Sequence, residues 1–344
     1  MKILIIGAGW YGCHCASVLL DLNIDFKICD LTNDFFKGSS SKNQNRLHQG
    51  FHYPRSHSTR AECIKGYDRF MNKYDFLTKE IPKNYYCVDQ QSILDFETYK
   101  CILNNNDYDV VSKLDVKFDI DYTKLQGMIQ VDERYIDFKK ARDYFKNKLN
   151  KFMIKDYDID LLDRVNHTYD DEKFDFIIDC TYSNVDPNMF YEDCISLIYE
   201  SKYENDFAIT IMDGPFWSLY PYDPDNNLYT LTDVSHTPFK ELDIDSIRAN
   251  MENKILKYIK DFDKFFIFRG YFISKKCKQI NSSDDRSLTW SKKDNILSFS
   301  GGKIGGIFAM EDILQKNFPK NTYFLRKIEY DLIQPNKMLI LKAS

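Results

Sequence analysis

Paired-cysteine motifs are missing from this chain. Its nine cysteines are odd in number and scattered, with no C-x-x-C among them, which argues against a zinc site and against a disulfide framework. Cys13 and Cys15, two apart on a predicted helix, do not face each other. All nine read as reduced thiols, which fits a cytoplasmic protein with no metal site. Long apolar runs are missing too. None approaches the ~18–20 residues of a membrane span, and the first, Ile3 to Ile6, is too short for a secretory segment. No integral membrane segment is expected. Positive charge is not in excess: the formal net charge is -5 and the pI about 5.8. With no RNP, zinc-finger or helix-turn-helix signature, nothing points to nucleic acid. What remains is a globular composition, 43% hydrophobic and 29% charged over 344 residues, long enough for two domains.

The chemistry begins at the N-terminus. In MKILIIGAGWYGCHCASVLLDLNIDFKICD, the apolar run Lys2–Ile6 predicts a buried strand. Gly7, Gly9 and Gly12 follow as G-x-G-x-x-G, then a helical stretch with Ala16, Leu19 and Leu20 on one face. Phe26–Cys29 predicts a second strand ending in Asp30, close to the ~20-residue spacing of a dinucleotide-binding unit. The glycines permit a tight turn, close approach to a pyrophosphate and close helix–strand packing, while the helix N-terminus faces the phosphates. Trp10 and Tyr11 lie within that loop and count among its contacts. Asp30 accepts ribose hydroxyls, which disfavours a 2′-phosphate.

Histidine is scarce, six in the whole chain, yet three fall in GSSSKNQNRLHQGFHYPRSHSTR, residues 38–60: His48, His52 and His57. Arg46, Arg55 and Arg60 interleave with them behind Ser39, Ser40 and Ser41. The segment from Gly38 to Tyr53 resembles the flavin-proximal loop of the FAD-dependent D-amino-acid oxidase/glycerol-3-phosphate dehydrogenase superfamily, and its continuation looks like 2-hydroxyglutarate dehydrogenases. Two further stretches extend the resemblance. KFDFIIDCTYSN, residues 173–184, ends a strand at Cys180-Thr181, with Tyr182 where the family has glycine. NILSFSGGKIGGIFAMEDIL, residues 295–314, runs from a strand through Gly301-Gly302-Lys303-Ile304 and Gly305-Gly306 into a helix.

The resemblance implies roles by position. FAD is the expected cofactor. Ser39, Ser40 and Ser41 would contact the pyrophosphate, and Arg46, Leu47, His48 and Gly50 would line the flavin, with Gly50 bringing backbone to the ring. Covalent attachment at His48 is left open. Cys180 and Thr181 would lie near the cofactor. Gly301, Gly302, Lys303 and Ile304 would stabilise the reduced ring's negative charge through a helix N-terminus and an ammonium. His48 and His52 are candidate bases. Arg269 is the candidate anion-binding arginine of FFIFRGYFISKKCK, with Lys275 and Lys276 beside it. Tyr53, Tyr220, Tyr222 and Lys275 are candidate substrate contacts. Trp217 is a further cavity-wall candidate, although aromatics on sheets are ordinarily core.

The implied fold class is α/β (α+β overall): a Rossmann-like FAD-binding domain of the glutathione-reductase type with an inserted antiparallel-sheet substrate domain. The discontinuous cofactor domain would comprise residues 1–60, 137–185 and 270–344, and the cap 61–136 and 186–269. Helices are expected over 59–79 and 136–149, and a hairpin over 216–234 around Asp-Pro-Asp-Asn-Asn. Residues 103–109 and 281–287 read as polar loops, and the tail after Lys320 as a helix and strand. The expected activity is oxidation of a CH–OH or CH–NH carbon of a small polar substrate: a 2-hydroxy acid, an amino acid or a phosphorylated polyol or sugar. A flavin-dependent sugar-nucleotide mutase and a non-catalytic FAD-binding protein are the alternatives. The partner is a small molecule; oligomeric state is left open.

Overall fold

The computed structural model describes residues 1–103, 106–181, 189–203, 206–212, 214, 216–279 and 288–319. Tyr182, the loop 281–287 and the tail after Lys320 lie outside the described residues.

The chain is a mixed α/β protein with two main sheets. The first has the order 289–293, 296–300, 176–179, 2–6, 25–29. The last four strands run parallel, in registers such as Ile5↔Ile178, Ile5↔Ile28 and Ile178↔Leu297. Strand alternation sorts the side chains by face. Ile3 and Ile5 turn toward the helices Trp10–Asp21, His57–Tyr74, Phe138–Leu149 and Gly306–Asn317. Leu4 and Ile6 turn the other way, toward Tyr157, Tyr169 and Phe174, beneath a small three-stranded antiparallel sheet over 162–173. The chain returns to this sheet after the helix Phe138–Leu149, where Ile154 N–H bonds to the Ile28 carbonyl at 2.8 Å.

The second sheet is larger, with the order 238–239, 189–201, 228–233, 217–223, 207–212, 83–89, 125–131, 109–111, and with 266–279 paired to 189–201. It is not wholly antiparallel as expected: Phe207–Met212 runs parallel to Lys83–Asp89. One face packs Ile195, Leu197, Trp217, Leu219 and Leu231 against the helix Ile244–Ile255. Trp217 is therefore core, not cavity wall. The expected hairpin is present, Trp217–Asp223 against Leu228–Asp233, with Asn227 left-handed at φ 54°.

Two expected boundaries fall inside elements. The helix His57–Tyr74, capped by the Ser56 hydroxyl, sends Phe70 and Tyr74 into the first core, so 60/61 is no division. The strand Phe266–Gln279 crosses 269/270 while paired to Met189–Ser201 in the larger sheet.

Behind the first helix sits a buried polar lock. His14 Nδ1 meets the Tyr74 hydroxyl at 2.9 Å and Nε2 meets Glu311 at 3.1 Å. Lys73 and Arg69 also reach Glu311. Burial alone would raise Glu311, but the His14 bond and the two cations outweigh it and hold the carboxyl at about 2, against an ordinary 4.5. Burial lowers His14 from 6.5, opposed by Glu311. Both depressed values mean the folded state binds fewer protons, so this lock stabilises above the ordinary values and fails as pH falls. Glu311→Gln is expected to lower stability at pH 7 by about 1–3 kcal/mol and to flatten its loss between pH 4.5 and 2, measured by urea unfolding across that range. An unchanged acid limb would remove Glu311 from the account.

Candidate active site

The site forms where the parallel strands of the first sheet end. Gly7 N–H bonds to the Cys29 carbonyl and Cys180 N–H to the Ile6 carbonyl, each at 2.8 Å, so three strand ends meet at one edge. The Asp30 carboxylate holds the glycine loop: Oδ2 accepts the Ala8 N–H at 2.8 Å and Oδ1 accepts the Thr32 N–H and hydroxyl at 2.9 and 2.6 Å. The Ser40 hydroxyl accepts the Trp10 N–H, the first of the helix, at 3.0 Å.

The late glycine run comes to the same edge. The Tyr11 hydroxyl donates to the Lys303 carbonyl at 2.9 Å, joining loops 292 residues apart in sequence. A Cβ on Gly301 would stand 2.3 Å from the Tyr11 oxygen, so only glycine admits this contact. Strand Ile296–Ser300 delivers the run, and helix Gly306–Asn317 leaves it.

A cleft of about 470 Å³ opens between this edge and the larger sheet. Trp10, Tyr11, Ser39, Ser40 and residues 300–304 line one side. Arg46, His48, His52 and Tyr53 lie in its middle. Cys194, Ser196, Thr210, Ser218, Thr232 and Ser274 face it from the larger sheet, together with Glu192, Asp233, Lys275 and Lys276. The other expected residues, Gly7, Gly9, Gly12, Asp30, Ser41, Leu47, Gly50, Cys180, Thr181, Tyr220 and Tyr222, are not among those lining it. Gly50 faces Arg60 and Cys63 of a helix, not the cleft. The Tyr220 ring stacks under Arg46 at 4.1 Å, and the Tyr222 hydroxyl reaches the Ser41 carbonyl.

Arg269 is a correction. It is half exposed, bonds to Glu200 at 2.6 Å and lies outside the cleft. Its strand is irregular at this point, with Ile198 paired to Gly270 and Tyr199 to Phe268, and it reaches the cleft only further along, at Ser274, Lys275 and Lys276. Arg46 lines the cleft instead. Its guanidinium donates to the Thr210 hydroxyl at 3.0 Å and to the Ser218 hydroxyl, while its buried Nε has no hydrogen-bond partner. Among the described residues no carboxylate pairs with it.

His48 and His52 pack with ring centroids 4.5 Å apart, and His48 Nδ1 is buried without a partner. Burial, then the cations Lys303 and Arg46, press both imidazoles well below their ordinary 6.5, His48 adding to the effect on His52. Both are neutral at pH 7 and able to accept a proton. Lys303 donates to the Tyr53 hydroxyl and covers its ring at 3.6 Å. His52 Nδ1 reaches the Tyr86 hydroxyl at 3.4 Å, and Tyr86 donates to Glu133 at 2.7 Å.

Tyr86, Glu133, Thr210 and Ser218 escaped the sequence reading. Glu133 sits in Asp-Glu-Arg, which looks like a solvated turn. Thr210 and Ser218 carried a usable signal, because hydroxyls two apart from apolar neighbours share one strand face.

The residues fit a dinucleotide with an electron-accepting ring. Two helix N-termini suit anionic groups, Gly301 leaves room against Tyr11 at the edge, and the orphaned His48 nitrogen and the Arg46 guanidinium line the same cleft. No family model matches the chain. It is 34% identical over 333 residues to the FAD-dependent monooxygenase FPY4 of Fusarium mangiferae, covering 90% of this chain and 89% of that protein. It is 26% identical over 363 residues to the FAD-dependent monooxygenase kojA of Aspergillus flavus, covering 91% and 85%. Among solved structures it is similar to the dithionite-reduced L-α-glycerophosphate oxidase of Mycoplasma pneumoniae with FAD bound, at TM-score 0.70, 13% identity and coverage of 92% and 94%. The glycine oxidase of Geobacillus kaustophilus gives TM-score 0.68, 8% identity and the same coverage. The chain therefore belongs to the same family as the FAD-dependent monooxygenase FPY4, and it shares its fold with FAD-dependent oxidoreductases such as the glycerophosphate oxidase.

Proposed function

We propose that this chain binds FAD across its two glycine loops and oxidises a CH–OH or CH–NH carbon of a small substrate bearing an anionic group. The observation that carries the reading is the shared cleft: both loops, two neutral histidines and an arginine that no carboxylate among the described residues pairs with open into one cavity. Residues 7–12, Asp30 and 39–41 would hold the diphosphate and ribose, and residues 301–304 with His48 the ring. Bound FAD supplies an electron-pair acceptor that no side chain offers. Arg46, backed by Thr210 and Ser218, orients the substrate's anionic group. His52, with His48 packed against it, accepts its proton. The fold is read as a glutathione-reductase-type domain from residues 1–77, 137–181 and 288–319, with the remaining described segments as a cap.

Purified protein should absorb near ~450 nm, and anaerobic addition of 2-hydroxy acids, amino acids or phosphorylated polyols should bleach it for one class. Arg46→Met should slow that bleaching at limiting substrate about 10–100-fold, the worth of a charge-assisted bond. Arg269→Ala should leave it within about twofold. The reverse pattern would return the anion site to Arg269. Monooxygenation is a second reading, favoured by the 34% identity to a protein named a monooxygenase. Bleaching by a nicotinamide reductant instead, with oxygen entering the product, would establish it. Bleaching by dithionite alone, with turnover of a nucleotide sugar, would establish a mutase.

A further inference from the structure

Glu133 is a fully buried acid in the turn between the strands Leu125–Val131 and Arg134–Ile136. Its Oε1 accepts the Gln49 backbone N–H at 2.7 Å, and its Oε2 accepts the Tyr86 hydroxyl at 2.7 Å with the Asn84 amide at 3.5 Å. A tyrosine has one hydroxyl proton. With that proton given to Glu133, the Tyr86 oxygen serves its other neighbour as an acceptor. That neighbour is His52 Nδ1 at 3.4 Å, in a ring lying nearly parallel to the tyrosine at 5°. The proton of neutral His52 then sits on Nδ1, and Nε2 is left as the basic nitrogen of a ring that lines the cleft.

We propose that Glu133, acting through Tyr86, is a positioning residue that holds His52 as the Nδ1–H tautomer, so that Nε2 takes the substrate's proton. This rests on the oxidoreductase reading. In the oxidation, the substrate's C–H hydrogen leaves with its electron pair as hydride, which bound FAD would accept. The O–H or N–H proton passes to His52 Nε2, and a C=O or C=N bond forms. The imidazolium produced is stabilised through Tyr86 by the Glu133 carboxylate. Without that support, the neighbouring cations Lys303 and Arg46 would oppose its formation.

Glu133 titrates within the working range. Burial pushes it up to about 7, against the bonds from Tyr86, Gln49 and Asn84 and the charge of Arg46. The other titratable groups facing it are Tyr99, Tyr220, Tyr67 and Cys63. Burial raises all four of them, so at pH 7 they stay neutral, and Glu133 is the group that changes charge.

The test is histidine-selective 15N NMR on the holoenzyme from pH 5.5 to 8.5, which needs no substrate. At pH 8 the wild-type His52 should be the Nδ1–H tautomer, and its resonance should show a step near pH 7 as Glu133 protonates. Tyr86→Phe should shift the tautomer ratio at least about fivefold toward Nε2–H, one hydrogen bond's worth. Glu133→Gln should abolish the step near pH 7. A wild-type Nε2–H tautomer, or a ratio and step unmoved by both variants, would overturn the proposal. If either variant fails to fold, the wild-type tautomer and step decide alone. Flavin absorbance of the same sample separates the two ideas: colourless protein defeats the FAD reading, while the His52 tautomer still reports on Glu133.

Discussion

Replacing Gly12 with alanine is expected to strip the protein of FAD and of much of its stability. A Cβ at this position would stand 1.7 Å from the Gly7 carbonyl oxygen and 2.9 Å from its carbon. Both are backbone atoms, so no side chain can swing away. The loop must open or the helix Trp10–Asp21 must slide along the sheet. Either movement pulls the Trp10 N–H from Ser40 and the Ala8 N–H from Asp30. Overpacking of this kind costs about 3 kcal/mol or more. The variant should carry less than about a tenth of the wild-type flavin, read from the visible-to-ultraviolet absorbance ratio, with an earlier urea midpoint. Gly38→Ala is the control, because a Cβ there meets nothing within 4 Å. Full flavin retention by Gly12→Ala would show that the loop does not hold the cofactor.

The second large effect is expected at Trp10. Its ring packs edge-on against Phe36, Phe70 and Phe145, with centroids at 5.0, 5.4 and 5.6 Å, and against Tyr74 at 6.1 Å. It is 7% exposed, and that sliver lines the cleft. Trp10→Ala empties the centre of an aromatic cluster shared by three helices. The expected loss is about 3–5 kcal/mol in urea unfolding. Trp10→Phe should recover most of it, because a ring remains for edge-on contacts. If Trp10→Ala cost less than about 1 kcal/mol, the residue would be a cofactor contact first and a core residue second.

The strand–glycine–helix opening was legible because its signals are local. Lys2–Ile6 is a strand and Trp10–Asp21 a helix, as patterned. The helix expected over 136–149 runs Phe138–Leu149 from an Asp137 cap, and 59–79 is His57–Tyr74 with a short continuation to Leu77. The serine–histidine segment reached the cleft through Ser39, Ser40, His48, His52 and Tyr53. Gly50 did not, because the turn that its φ of 90° permits points it at a helix. Arg269 misled because residue type was weighed without position along the strand: a register irregularity holds it beside Glu200, and its strand meets the cleft only from Ser274.

The sequence by itself determined the family's nucleotide-binding scaffold, since periodicity, glycine spacing and a terminal acid are short-range features that few arrangements satisfy together. Only the tertiary structure decided which arginine faces the cleft, that Tyr11 ties the early loop to Lys303, and that an acid from an ordinary-looking turn is buried beneath His52. Those depend on strand pairing and on contacts between residues dozens to hundreds of positions apart. A carboxylate's worth there is set by the water it has lost, and no local pattern of residues records that loss.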